Sequence, residues 1–126
     1  MDTPQLQRIV IDALEDIKGR DIEAIDTRPL SSLFDAIVVA SGDSNRQVRA
    51  LARNVAEKVR EAGGEVISVE GEENGEWILV DLGSIVVHVM QPAVRAYYAL
   101  EDLWSSTPGG RRPLAPRAAP GVPRPA

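Results

Sequence analysis

At 126 residues, 44% hydrophobic and 26% charged, the chain has the length and balance of one soluble domain with a single core. It has no cysteine, which excludes disulfides and thiolate metal sites and points to a reducing, cytoplasmic setting; no apolar run approaches the roughly 20 residues of a membrane span, and the N-terminus lacks a secretion signal. The 14 basic residues against 19 acidic ones leave a net charge of −5.

Thr3-Pro4 reads as an N-cap followed by proline at the first helical position. Leu6, Ile9, Val10, Ala13, Leu14 and Ile17 then keep helical spacing until Lys18-Gly19 closes the segment. Asp21 to Asp26 suggests a short edge strand. Phe34 to Ala40 is a continuous apolar run, as in a buried central strand. Ser44 and Gln47 have capping-box spacing and open a helix whose stripe is Val48, Leu51, Ala52, Val55, Ala56 and Val59, stopped by Gly63-Gly64. A strand at Glu65 to Val69 and a polar turn at Glu70 to Gly75 follow, so strand, helix and strand imply a right-handed parallel crossover. Glu76 to Leu82 and Ile85 to Met90 flank Gly83-Ser84, which suits a type II′ hairpin. Pro92 opens a last helix running to about Trp104. The fold class is α/β, with a mixed sheet of about five strands and three helices.

Residues 1–104 form the domain in this reading. From Ser105 to Ala126 the chain has six prolines, three glycines, four arginines (Arg111, Arg112, Arg117, Arg124) and no acid, which predicts a disordered tail. Taking those four charges from the net −5 leaves −9 on residues 1–104. So acidic a body is repelled by phosphate and favours a basic partner, and no direct nucleic-acid site is expected.

A turn at Gly83-Ser84 sets the hairpin register. Leu82 then faces Ile85, Val80 faces Val87 and Ile78 faces Val89, an all-aliphatic core side. On the other side Trp77 faces Met90, Leu79 faces His88 and Asp81 faces Val86. That face is either covered by a helix, which makes Trp77 and Met90 core residues, or is an exposed apolar patch marking a protein partner. The second reading expects Trp77→Ala to weaken binding more than folding. His88 is the only histidine, with no second histidine or cysteine to complete a usual zinc set, and reads as a satisfied or interface residue. On the last helix Arg95 and Tyr98 share one face, and adjacent Tyr97 and Tyr98 cannot both enter one core.

Taken in order, several segments resemble the ribosomal silencing factor (Iojap-type) family. They are Asp26-Thr27-Arg28-Pro29-Leu30-Ser31-Ser32-Leu33-Phe34-Asp35, then Ser41-Gly42-Asp43-Ser44-Asn45-Arg46-Gln47-Val48, then Glu70-Gly71 and Trp77-Ile78-Leu79-Val80-Asp81-Leu82-Gly83. Val86-Val87-His88-Val89 and the run Arg95 to Trp104 complete the match, which covers about residues 4–104. Leu82 and Met90 depart from the pattern, standing where relatives often have an aromatic residue.

The resemblance implies a nucleotidyltransferase-like topology and a translational repressor without enzymatic activity or cofactor. Such a protein binds the large ribosomal subunit at universal large-subunit protein fourteen, blocks joining of the small subunit, and damps translation under nutrient limitation. It also implies a homodimer in the free state. Carried onto this chain, the partner-binding surface comprises Trp77, Leu79, Asp81, His88, Met90, Arg95 and Tyr98.

The competing enzyme reading rests on Gly42-Asp43-Ser44, placed between strand and helix where nucleotidyltransferases hold phosphate. Transfer also needs carboxylates grouped around Mg²⁺. The helix that follows offers only Glu57, Asp81 has no carboxylate two residues away, and Asp43 puts negative charge where phosphate would sit. No metal site and no catalytic residue are expected.

Overall fold

The computed structural model describes residues 1–98, as three helices and five strands. Trp104 and the segment from 105 to 126 lie outside the described residues, as do the side chains of Tyr97 and Tyr98.

Helix α1 (Thr3–Asp16) buries Leu6, Val10, Ala13 and Leu14. Its cap is Asp2, one residue earlier than expected: the Asp2 carboxylate accepts from the Gln5 N–H at 2.9 Å, and Gln5 accepts the Asp2 N–H at 3.1 Å. The Thr3 hydroxyl donates instead to Asp35 at 2.8 Å. Helix α2 (Asn45–Glu61) is capped by Ser44, whose Oγ accepts from the Gln47 N–H at 3.1 Å. The Gln47 side chain returns to the Asp43 N–H at 2.7 Å and donates to the carbonyls of Ile17 and Lys18. That amide ties the start of α2 to the end of α1.

Strands β1 (Arg20–Asp26), β2 (Ala36–Ser41), β3 (Ser68–Glu70), β4 (Trp77–Asp81) and β5 (Ile85–Met90) form one mixed sheet in the order β1-β2-β5-β4-β3. β2 and β5 run parallel; every other neighbouring pair is antiparallel. β3 therefore runs in the direction of β2, as a crossover through α2 requires, but at the opposite edge. The later hairpin β4–β5 fills the gap between them. Its register is the expected one, with Trp77 opposite Met90, Leu79 opposite His88 and Asp81 opposite Val86. Gly83 takes φ +94, and the Leu82 N–H donates to the Ile85 carbonyl at 2.9 Å.

Both long helices pack on one face of the sheet. Val38, Ala40, Ile78, Val80, Val87 and Val89 meet Leu14, Val48, Leu51 and Val55 there, in one continuous core. Helix α3 (Pro92–Tyr98) is the only described helix on the other face. Among the described residues, helices cover one face of the sheet along its length and the other face at one end.

The turn between β3 and β4 is held by two contacts. Arg49 donates to the carbonyls of Glu72 and Glu73 at 2.8 and 2.7 Å. At Gly71 (φ +91) an added Cβ would lie 2.2 Å from the Trp77 carbonyl oxygen. Gly63 has a similar φ of +90 with nothing within 4 Å. Gly63→Ala is expected to cost about 1–2 kcal/mol of left-handed strain, and Gly71→Ala a further ~1–3 kcal/mol for the clash. Equal denaturation midpoints for the two variants would show that the backbone contact at Gly71 is not tight.

Candidate functional site: the second face of the sheet

The period of two in the strands sends Ile37, Val39, Leu79, Asp81, Val86, His88, Met90 and Trp77 to the face away from α1 and α2. This face divides into two ends with different surroundings. At one end Trp77 (3% exposed), Val39 and Met90 form a closed cluster, with Val94 of α3 and Ile25 of β1 packed on it. Arg95, also buried, donates to the Ser41 hydroxyl at 3.0 Å and lies 4.0 Å from the exposed Glu23 carboxylate. The helix is thus seated by one apolar and one polar anchor.

The expectation of an exposed Trp77 and Met90 is corrected by this packing. A helix following β5 by one residue folds back over the end of the strand it has just left. His88 and Arg95, expected on the same surface, are buried as well. Tyr98 belongs to α3, but its side chain falls outside the described residues. Leu79 and Asp81 remain half-exposed, beyond the cluster closed by Trp77.

Trp77 and His88 are joined within the buried region. The indole Nε1–H donates to His88 Nδ1 at 3.0 Å, and the ring centroids are 5.9 Å apart. Nδ1 is therefore unprotonated and the neutral ring carries its hydrogen on Nε2. Burial pushes the imidazole pKa down from 6.5 to about 4, because the charged form would lose its hydration.

At the other end Ile37 and Val86 are buried under Leu30, Phe34 and Leu79, and among the described residues a groove lies over this second cluster. This groove, of about 450 Å³, runs over Ile37, Leu79, Val86 and His88, between the loop carrying Leu33 and Phe34 on one side and Ile67 on the other. Leu33 is 82% exposed and Ile67 56%. Glu70, Asp81 and Gly83 also line it, and among the described residues its lining contains no basic side chain. The Leu33–Phe34 wall is fixed by the buried Thr27, whose N–H donates to the Asp35 carbonyl at 2.9 Å and whose hydroxyl donates to that of Phe34 at 3.1 Å. At the loop's start Arg28 bonds Asp26 through side chain and backbone, which holds that exposed carboxyl down at about 2.

Leu33, Phe34, Ile67 and Glu70 were not singled out in the sequence. Consecutive Leu33-Phe34 in a polar loop was the available signal.

The Gly42-Asp43-Ser44 turn is taken up by local structure. Ser44 caps α2, the exposed Asp43 carboxylate pairs with Arg20 at 2.5 Å, and the Gly42 N–H donates to the Met90 carbonyl. Among the described residues no three His, Cys, Asp or Glu side chains are grouped to hold a metal ion. None of the described helices is long and apolar enough to cross a membrane.

A small α/β domain whose described surface includes an acid-rimmed apolar groove has the make-up of a partner-binding module. The comparisons identify which one. Residues 1–121 match the family model described as ribosomal silencing factor during starvation, and the chain belongs to that family. A ribosomal silencing factor of Chromobacterium violaceum is 54% identical over 113 residues, covering 90% of this chain and 89% of the relative. A crystal structure of a protein from the same organism superposes with a TM-score of 0.81 at 48% identity, covering 91% of this chain and 100% of that one. The mouse protein named mitochondrial assembly of ribosomal large subunit protein 1 is 30% identical over 100 residues, 77% of this chain and 44% of its own.

Two measurements test the division of the face. Trp77→Ala is expected to destabilise the domain by about 3–5 kcal/mol in chemical denaturation, as a core truncation does; a loss below ~1 kcal/mol would mean that α3 does not cover the indole. For His88, the folded state resists protonation while the unfolded chain accepts a proton near pH 6.5. Its contribution is thus fully present above that pH and falls away as pH drops towards about 4. By about pH 5 the site should remove roughly 2 kcal/mol from wild type, and His88→Gln should lose that slope; an equal pH dependence in both proteins contradicts a buried neutral imidazole.

Proposed function

We propose that the chain represses translation by binding the large ribosomal subunit through the open groove and preventing the small subunit from joining. The receptor is a basic ribosomal protein, universal large-subunit protein fourteen in the family resemblance, and the repression serves nutrient limitation. Family membership supports a silencing role. The observation that carries the groove assignment is Leu33, a large apolar side chain left 82% exposed beside an open apolar trough. Burying it against a partner recovers hydrophobic free energy that the free domain forgoes. Glu70 and Asp81 on the rim supply charge complementary to lysine or arginine, which steers association and fixes orientation.

The residues then divide in their roles. Leu79 and Asp81, with Leu33, Phe34, Ile67 and Glu70, meet the partner. Trp77, His88, Met90 and Arg95 hold the platform from beneath. Tyr98, at the end of α3, is carried as a further contact residue from the family resemblance.

Leu33→Ser should leave stability nearly unchanged and lower large-subunit affinity about tenfold or more in co-sedimentation. Glu70→Lys should slow association and weaken the salt dependence of binding. Wild type added before joining should reduce the monosome peak, and the two variants should do so less. Unaltered affinity in both variants, or equal binding of wild type to both subunits, contradicts the reading.

A further inference from the structure

On the helical side of the sheet, where α2 passes the edge strand β3, the described residues leave a second hollow of about 410 Å³. Small-molecule sites measure roughly 300–1,000 Å³. Its floor is apolar: Ala52 and Ala56 are buried, and Val66 and Val69 half-buried. The two alanines lie one turn apart on α2, and their short side chains leave the space that longer ones would fill. All of residues 66–69 line the hollow, so it borders the backbone edge of the strand and not one face alone. An edge strand offers alternate N–H and C=O groups to an added extended chain.

The rim is charged with both signs. Arg53, Glu57 and Arg60 stand at i, i+4 and i+7 on one face of α2, and Glu72 joins them from the turn after β3. That spacing lets helix neighbours pair, yet among the described residues none of these four side chains is in an ion pair or hydrogen bond. Two cations balance two anions around the hollow, so a polyanion such as phosphate gains little there. A ligand carrying one charge of each sign is matched. Arg53 and Glu57 are about 6 Å apart along the helix axis, and the two ends of an extended dipeptide are about 7 Å apart.

We propose that this hollow binds a free, zwitterionic dipeptide with small aliphatic side chains. Its carboxylate meets the Arg53 guanidinium, its ammonium meets Glu57, and its side chains lie on Ala52, Ala56, Val66 and Val69. The site is also placed to act on the groove. Ile67, 56% exposed, lines both. Its side chain is buried by an occupant of one or of the other and not by both together. Dipeptide and large subunit therefore bind in opposition, each lowering the affinity of the other by the same factor. This second half rests on the groove being the subunit's site.

The test titrates the full-length chain with valyl-valine and follows amide and methyl NMR signals. Expected are saturable shifts at Ala52, Ala56, Val66 and Val69. Acetylating the dipeptide's amine, amidating its carboxyl, or introducing Arg53→Gln or Glu57→Gln should each weaken binding about tenfold or more. Absent or unsaturable shifts overturn the inference, and so do capped dipeptides that bind as well as the free one. Inorganic phosphate that shifts the same signals at a lower concentration than the dipeptide also overturns it, in favour of an anion site. Saturating dipeptide should then lower large-subunit affinity about tenfold, and Ile67→Ala should abolish that dependence. The titration contains no ribosome, so its result is independent of where the subunit docks. Saturable shifts with unchanged subunit affinity uphold the dipeptide site and overturn the opposition through Ile67; if Leu33→Ser also binds subunits as wild type does, the failure lies in the groove assignment.

Discussion

The indole N–H of Trp77 donates to His88 Nδ1 where water is excluded, and the second face of the sheet is organised around that bond. On one side of it, α3 seals Trp77 and Met90 with Val94, and Arg95 fastens the helix to Ser41. On the other side Ile37, Val86 and His88 make the buried floor of the groove, with Phe34 and Leu79 packed on the first two. The bond also fixes the tautomer of His88, with its hydrogen on Nε2. A substitution at Trp77 or His88 acts on folding first and on binding through it, which is why the groove is best probed at Leu33 and Glu70.

Much of the fold was legible because local chemistry and global pattern agreed. Gly83-Ser84 pins the hairpin, and a period of two then sends Ile78, Val80, Val87 and Val89 to the helical side without further information. The α2 stripe, with Ser44 before it, was equally direct. The partial coverage of the second face was not legible. Trp77, Leu79 and Asp81 alternate on one strand, and nothing in that alternation says that α3 turns back over Trp77. The position of β3 was hidden for a related reason: strand, helix and strand describe a direction, whereas its place at the far edge depends on the later hairpin slotting between. At the site, Leu79 and Asp81 were found from register alone. Leu33, Phe34 and Ile67 come from loops and strand flanks, where no period marks which side chains converge.

The two faces explain how a small acidic domain can be both stable and adhesive. Its largest apolar cluster lies between the sheet and the two long helices, where Leu14, Leu51, Ile78 and Ile85 are fully buried. Leu33 and Ile67 project beside the groove, whose rim carries the acids Glu70 and Asp81. The Gly42-Asp43-Ser44 turn, by contrast, is consumed in starting α2 and closing on β5.

The central claim is that partners meet the groove and not the helical side. Hydrogen–deuterium exchange of the full chain, free and bound to large subunits, addresses it at peptide resolution. The account predicts slowed exchange in the loop carrying Leu33 and Phe34, in the Ile67–Glu70 segment and around the Gly83 turn, with α1 and the outer face of α2 unchanged. Protection confined to α1 or α2, with those three segments exchanging as in the free protein, would contradict it.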